Sequence, residues 1–170
     1  RRAFSLKMSY MRTILQYVMD SGKNAVTNFE FPAEQIVSEE ELDKHNFDEI
    51  ILNRFKPYIG KNYQVIAQEK KINISKNPKN KFAIIANAIV ATEKCSNVNR
   101  SEEFIKAGLT MKTIRVQHNG NIKEAMSFEN IDYMEVAECD NWYESRLYEL
   151  FSSRFMFVIF KEQTANKKDY

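Results

Sequence analysis

The chain has 170 residues, of which 44% are hydrophobic and 28% charged, with a formal net charge of +2. That length suits one domain with a proper core but not two full ones. No apolar run approaches the ~20 residues needed to cross a bilayer, so a membrane-spanning helix is excluded. The sequence opens on Arg1-Arg2-Ala3-Phe4, with no initiating methionine and no apolar signal segment, and reads as a fragment of a longer polypeptide.

Leu6, Tyr10, Ile14, Leu15 and Val18 recur at helical spacing, which predicts a first helix ended by Asp20-Ser21-Gly22. A looser stretch follows to Ile36, where Phe31-Pro32 disfavours helix. Ser38, with Glu41 three residues on, forms the signature of a capping box. A helical stripe through Phe47, Ile50, Ile51 and Phe55 stops near Pro57. Asn62–Lys70 reads as a short helix, and Lys81–Ala91 as a longer one, apolar nearly all round and therefore buried on most sides.

The second half changes period. Leu109–Val116 has the composition of a strand, Asn119-Gly120 is a hairpin signal, Ile122–Phe128 reads as the return strand, and Asp132–Ala137 as a third. Trp142–Ser152 reads as a helix with Trp142, Leu147, Leu150 and Phe151 on its apolar side. Arg154–Lys161 is an aromatic-rich apolar run, too short for a buried helix, and reads as a strand covered on both faces and central to a sheet. Helices, hairpin, helix and buried strand together give an α/β arrangement with a mixed sheet. The twelve Phe and eight Tyr follow these apolar stripes, so core packing accounts for them better than stacking on single-stranded bases.

Charge is strongly segregated behind the small net value. Residues 30–49 hold eight acids against Lys44, a net of −7; residues 54–124 hold fourteen Lys or Arg against five acids, a net of +9. Residues 129–149 reverse the sign again, with seven acids against Arg146. A contiguous basic middle is the footprint of a phosphate-binding surface, and equally of a solvated basic face with no partner. Cys95 and Cys139 stand far apart with no CxxC pairing, which argues against a disulfide framework and fits a reducing, cytoplasmic setting. His45 and His118 have no ligand-like spacing, so a zinc site is not expected.

The order of residues from Glu103-Phe104-Ile105-Lys106-Ala107-Gly108 through Leu109-Thr110-Met111-Lys112-Thr113-Ile114-Arg115-Val116 resembles the catalytic segment of the MutH family. These are GATC-specific endonucleases of mismatch repair, with Sau-type restriction relatives, built on the PD-(D/E)-x-K nuclease motif. Lys123–Phe128, Trp142-Tyr143-Glu144-Ser145 and the Phe-rich final strand are similar to the Sau-type branch, and Phe55–Lys61 resembles a helix-to-helix corner of the family. The resemblance spans about residues 47–161. It implies a restriction-endonuclease-like mixed β-sheet flanked by helices. Arg2–Lys7 resembles the stretch after a first, catalytic domain, which implies that residues 1–28 are a helical lead-in and residues 29–170 a second, C-terminal MutH-like domain.

The resemblance also implies a departure from the motif. Hydrolysis by this motif needs two carboxylates to hold Mg²⁺ and a lysine near the attacking water. Carried over, Glu103 takes the first carboxylate position and Lys112 the lysine position, but the second carboxylate position is Thr110, a neutral hydroxyl. The helix from Lys81, where active members carry glycines and a further Glu, has neither Gly nor acid. Catalytic residues are therefore expected to be absent, no Mg²⁺ is expected in this domain, and Mg²⁺ is expected for the whole enzyme. One rescue follows from a two-residue Asn119-Gly120 turn: His118 would pair with Asn121, Arg115 would face Glu124, and Glu129 would stand opposite Thr110 as a substitute carboxylate.

The expected role is a DNA-binding, regulatory domain of a type II restriction endonuclease that grips GATC-containing duplex. Lys106, Lys112, Arg115 and Lys123 would contact phosphates, and the catalytic N-terminal domain of the same chain would be its partner. The alternative is an active Mg²⁺ endonuclease using Glu103, Glu129 and Lys112. A third possibility is a packing module that contacts only its parent chain.

Overall fold

The computed structural model describes residues 7–21, 33–74, 78–91, 97–128 and 130–164. Eight α-helices are found among them: α1 (Met8–Ser21), α2 (Glu39–Lys44), α3 (Phe47–Phe55), α4 (Tyr63–Glu69), α5 (Lys81–Val90), α6 (Glu102–Ala107), α7 (Tyr133–Glu138) and α8 (Arg146–Ser152). Two strands, β1 (Leu109–Val116) and β2 (Arg154–Lys161), pair in parallel with Leu109 beside Arg154 and Val116 beside Lys161. The architecture is mixed α/β, and the only sheet among the described residues has these two strands. No helix of the described residues is long and apolar enough to cross a membrane.

Local chemistry sets most of the helix starts. Ser38 Oγ accepts from the Glu41 amide while the Glu41 carboxylate accepts from the Ser38 amide, so the capping box forms in full at α2. Asn46 Oδ1 accepts from the Glu49 amide at 2.9 Å to start α3, and Asn62 Oδ1 accepts from the Gln64 amide at 2.8 Å to start α4. Pro57 follows α3 within a 3₁₀ turn, Lys56–Tyr58, where its missing N–H is harmless. Gly60 takes φ +79° at the corner before α4, a conformation that side chains with a Cβ rarely adopt.

The core lies where α3, α4 and α5 meet the inner face of the sheet. Ile50, Ile51, Ile66, Ile85, Ile89 and Val90 are buried there. Phe104 of α6 is wholly buried and meets Phe47 edge-on at 5.4 Å. Phe82 of α5 bridges helices and sheet, with Tyr63 at 5.3 Å on one side and Phe160 at 4.6 Å on the other. Polar side chains close the joints around this core. Arg54 donates to Val90 O at 2.7 Å and Ile36 O at 2.9 Å, tying the end of α5 to the segment before α2. Asn99 donates to Met111 O at 3.1 Å and accepts from Met111 N at 2.7 Å, so its amide occupies a ladder position on the flank of β1 away from β2.

Several expectations are corrected. Asn119-Gly120 does not make a two-residue turn. Gln117 N donates to Asn121 O at 2.8 Å, Gly120 N donates to Gln117 O at 2.9 Å, and of the central residues only Gly120 has positive φ, +87°. A type I′ turn needs positive φ at both central residues, so the loop closes instead as a three-residue turn with a left-handed glycine. Ile122 consequently bridges Val116, one residue from the expected register. The return strand over Ile122–Phe128 reduces to that bridge and one further bond, Lys123 N to Arg115 O.

The expected third strand is α7, because Asp132 caps a helix by accepting from the Met134 and Glu135 amides. The expected helix over Trp142–Ser152 splits at Ser145, which caps α8 after a 3₁₀ turn, and this leaves Trp142 and Phe151 exposed. The final strand has the expected bounds but is neither central nor covered on both faces. Phe157 is 47% and Ile159 61% exposed, and among the described residues only β1 flanks β2. In α1, Leu15 and Val18 of the expected apolar stripe are exposed, and Leu6 lies outside the described residues.

Candidate nucleic-acid interface

Glu103, Thr110 and Lys112 arise from α6, the Gly108 turn and β1. Gly108 ends α6 at φ +58° and passes the chain directly into Leu109. The Glu103 carboxylate spans back to the segment before α2, accepting from Ile36 N at 3.0 Å and from Val37 N at 2.8 Å. It thereby holds two amides that no helix or strand satisfies. Its neighbour Glu102 is buried and paired with Lys106. That hydrogen bond raises the Lys106 pKa above its ordinary value, against the opposing effect of partial burial. Both acids are therefore engaged within the fold.

Side chains alternate along β1, so Thr110 and Lys112 lie on the outer face of the sheet and Met111 and Arg115 on the inner one. Lys112 Nζ donates to Ser127 O at 2.9 Å and stands 5.3 Å from the Phe128 ring, so it answers a carbonyl and a ring rather than Glu103. Among the described residues no group of three or more His, Cys, Asp or Glu side chains stands close enough to hold a metal ion. Glu129 lies outside the described residues, as does Cys95, and the register that would set Glu129 opposite Thr110 is not the one formed.

The four lysine and arginine positions expected to meet phosphates are dispersed. Lys106 is on α6 and bound to Glu102. Lys112 is on the outer sheet face, and Arg115 on the inner face over the Phe82 ring at 5.6 Å. Arg115 also pairs with Glu124, as expected, although the hairpin register differs. The long guanidinium tolerates a one-residue shift, and this pairing lowers the Glu124 pKa. Lys123 is half-buried just beyond the turn.

Further lysines not singled out by sequence stand against aromatic rings of the helices or in a groove along β2. Lys61 and Lys161 line a groove of about 680 Å³ that also contains Asn62, Gln163 and Thr164. Lys61 and Lys70 both stand 5.4 Å from the Tyr58 ring. Lys81 lies 4.6 Å from the Tyr63 ring and donates to its hydroxyl at 3.3 Å. The Phe82 ring stands between Lys81 at 5.1 Å and Arg115 at 5.6 Å. The available signal was the basic block with Tyr58 and Tyr63 interleaved among its lysines.

No family model matches the chain. Among curated proteins it is similar to the type II restriction enzyme Sau3AI of Staphylococcus aureus, with 30% identity over 175 aligned positions. The match covers 95% of this chain and 33% of the relative, so the chain spans about one third of that enzyme's length. The chain is therefore a homologue of part of a type II restriction enzyme.

Proposed function

We propose, with homology to one third of a type II restriction enzyme as the premise, that the chain is a DNA-binding domain of a restriction system. In this reading it has a MutH-like fold with a degenerate nuclease site. It recognises GATC-containing duplex and regulates a catalytic domain elsewhere in its parent polypeptide, where the Mg²⁺ chemistry resides. The single observation that carries the non-catalytic half of this reading is the pair Glu103 and Thr110. The carboxylate is engaged by the Ile36 and Val37 amides, and its partner position offers only a neutral hydroxyl. A divalent cation favours anionic oxygen ligands, and that arrangement offers it little.

Regulation follows from symmetry. A palindromic site presents two half-sites, and a second domain of related fold can hold the second half or a second DNA copy. Its binding must then favour the active state of the catalytic domain through a real coupling free energy.

A gel-shift titration with GATC and scrambled duplexes, each with and without Mg²⁺, tests the proposal when the recovered DNA is also assayed for nicks. Selective retention of the GATC duplex without nicking is expected. Equal retention of both duplexes rejects GATC recognition. Mg²⁺-dependent nicking that disappears in Lys112→Ala rejects the non-catalytic reading in favour of an active nuclease using Glu103, Glu129 and Lys112.

A further inference from the structure

The last strand has a partner on one border only. Arg154 N donates to Gly108 O at 3.1 Å and Glu162 N to Val116 O at 2.8 Å, which fixes the phase of the ladder. The even-numbered residues of β2 turn their N–H and C=O groups to β1, and Phe155, Phe157, Ile159 and Lys161 turn theirs to the opposite border. No strand lies there among the described residues. An open border of this kind is a template for a further extended chain.

The groove of about 680 Å³ follows that border, because every residue from Met156 to Lys161 lines it. Successive strand side chains alternate between faces, so a cavity touching all of them lies along the strand's edge and not over either face. Leu52 of α3 and Ile59 of the corner before α4 line it too, and they are 56% and 76% exposed. Exposed apolar side chains gathered in one concave place mark a docking site. An extended strand measures about 4.8 Å by 10 Å in cross-section and rises about 3.4 Å per residue, so the groove has room for roughly four residues of one strand. A second copy would present the same border with its own Leu52 and Ile59 beside it, and those side chains would stand between two pairing strands. Charge narrows the occupant further. Lys61 and Lys161 line the groove, and no Asp or Glu among the described residues does. Lys61 is paired with Glu69, whereas the exposed Lys161 forms no ion pair among the described residues.

We propose that the open border of β2 takes an extended segment of a partner polypeptide as an added strand, one with apolar side chains and an acidic residue that meets Lys161. The segment's main chain pairs with the outward N–H and C=O groups of Phe157 and Ile159, and its side chains cover Leu52 and Ile59. The site stands apart from the DNA-binding reading. It is apolar and offers one cation without an ion pair, whereas affinity for a phosphate backbone comes from several.

Panning a phage-displayed library of random peptides against the immobilised full chain, then measuring the enriched peptides by fluorescence anisotropy, tests the assignment. Enriched sequences are expected to alternate β-branched or aromatic residues with polar ones and to carry Asp or Glu. Methylating the alternate amide nitrogens that pair with β2 is expected to weaken such a peptide by about tenfold or more, and methylating the intervening ones by less than about twofold. In the chain, Ile59→Asp is expected to weaken binding about tenfold with no change in the urea midpoint, since that side chain is already in water. Lys161→Glu is expected to weaken it about fivefold. Failure to enrich this pattern, or binding indifferent to the position of methylation or to Ile59→Asp, overturns the proposal. Sedimentation velocity supplies the remaining arm. A mass that doubles with concentration and returns to one copy in Ile59→Asp gives the border to a second copy of the chain and overturns the partner segment.

Discussion

The two faces of the small sheet have similar composition and opposite fates. On the inner face Leu109, Met111 and Phe160 are buried, and Met156 and Val158 pack against the same core. On the outer face Phe157 and Ile159 remain largely accessible, and Phe155 meets Phe128 at 5.7 Å and Phe157 at 6.0 Å. The run Phe-Met-Phe-Val-Ile-Phe does not distinguish them. What does is the element opposite: α5 supplies Phe82 and Ile85 to one face, while the other receives, among the described residues, the irregular segment around Phe128. Apolar composition states what a face can bury, and the neighbour determines what it does bury.

The sharpest way to break this comparison is to truncate one ring on each face. Phe160→Ala removes a buried ring that packs tilted against Phe82 and is expected to cost about 3 kcal/mol or more in urea unfolding. Phe157→Ala is expected to cost less than about 1 kcal/mol, because nearly half of that residue is already in water. Equal losses would show that the outer face is packed in solution.

A somewhat smaller effect is expected behind the inner face. Arg54→Ala leaves Val90 O and Ile36 O without their charged donor and is expected to cost about 1.5–3 kcal/mol. Arg54→Lys recovers little of it, because a single ammonium cannot span both carbonyls and Glu41 together. Failure of Arg54→Ala to lower the unfolding midpoint would mean that the joint between α5 and the Ile36 segment contributes little to the inner face.

The smallest effect sits away from both faces, at the start of α2. Ser38→Ala removes the cap and is expected to cost about 1 kcal/mol. The Ser38 amide, and after it the Arg54 guanidinium, hold the Glu41 carboxyl below its ordinary pKa. A lowered folded-state value means the contribution is complete above the ordinary carboxylate range and is lost as pH falls through the lowered value. Glu41→Gln keeps the capping geometry without the titration, so its stability is expected to decline less on acidification than that of the unaltered chain. Parallel acid-unfolding curves for the two proteins would rule this contribution out.

Legibility in the sequence followed the range of the deciding interaction. The bounds of β1 and β2, the α2 capping box and the apolar α5 were readable, because each depends on neighbours within a few positions. The α7 helix was readable too, from Asp132 as an N-cap, but β-type composition masked it. The hairpin register turned on whether Asn119 adopts positive φ, a choice that Asn-Gly permits either way. At the candidate site, the Arg115–Glu124 pair was within reach of a register argument. The engagement of Glu103 with Ile36 and Val37 was not, since it closes a loop of more than sixty residues with no local trace. The two lysines that line the groove, Lys61 and Lys161, come from distant parts of the chain, so their sharing of one groove also appears only in three dimensions.

The Asn99 amide on Met111 has a consequence for growth of the sheet. By occupying both the donor and the acceptor of that residue, it acts as a stopper midway along one border of β1. An incoming strand would have to displace two bonds there before gaining any, so self-templated stacking of this protein is blocked from that side. Asn99→Ala would unseal that border and is the substitution to avoid when the protein is concentrated.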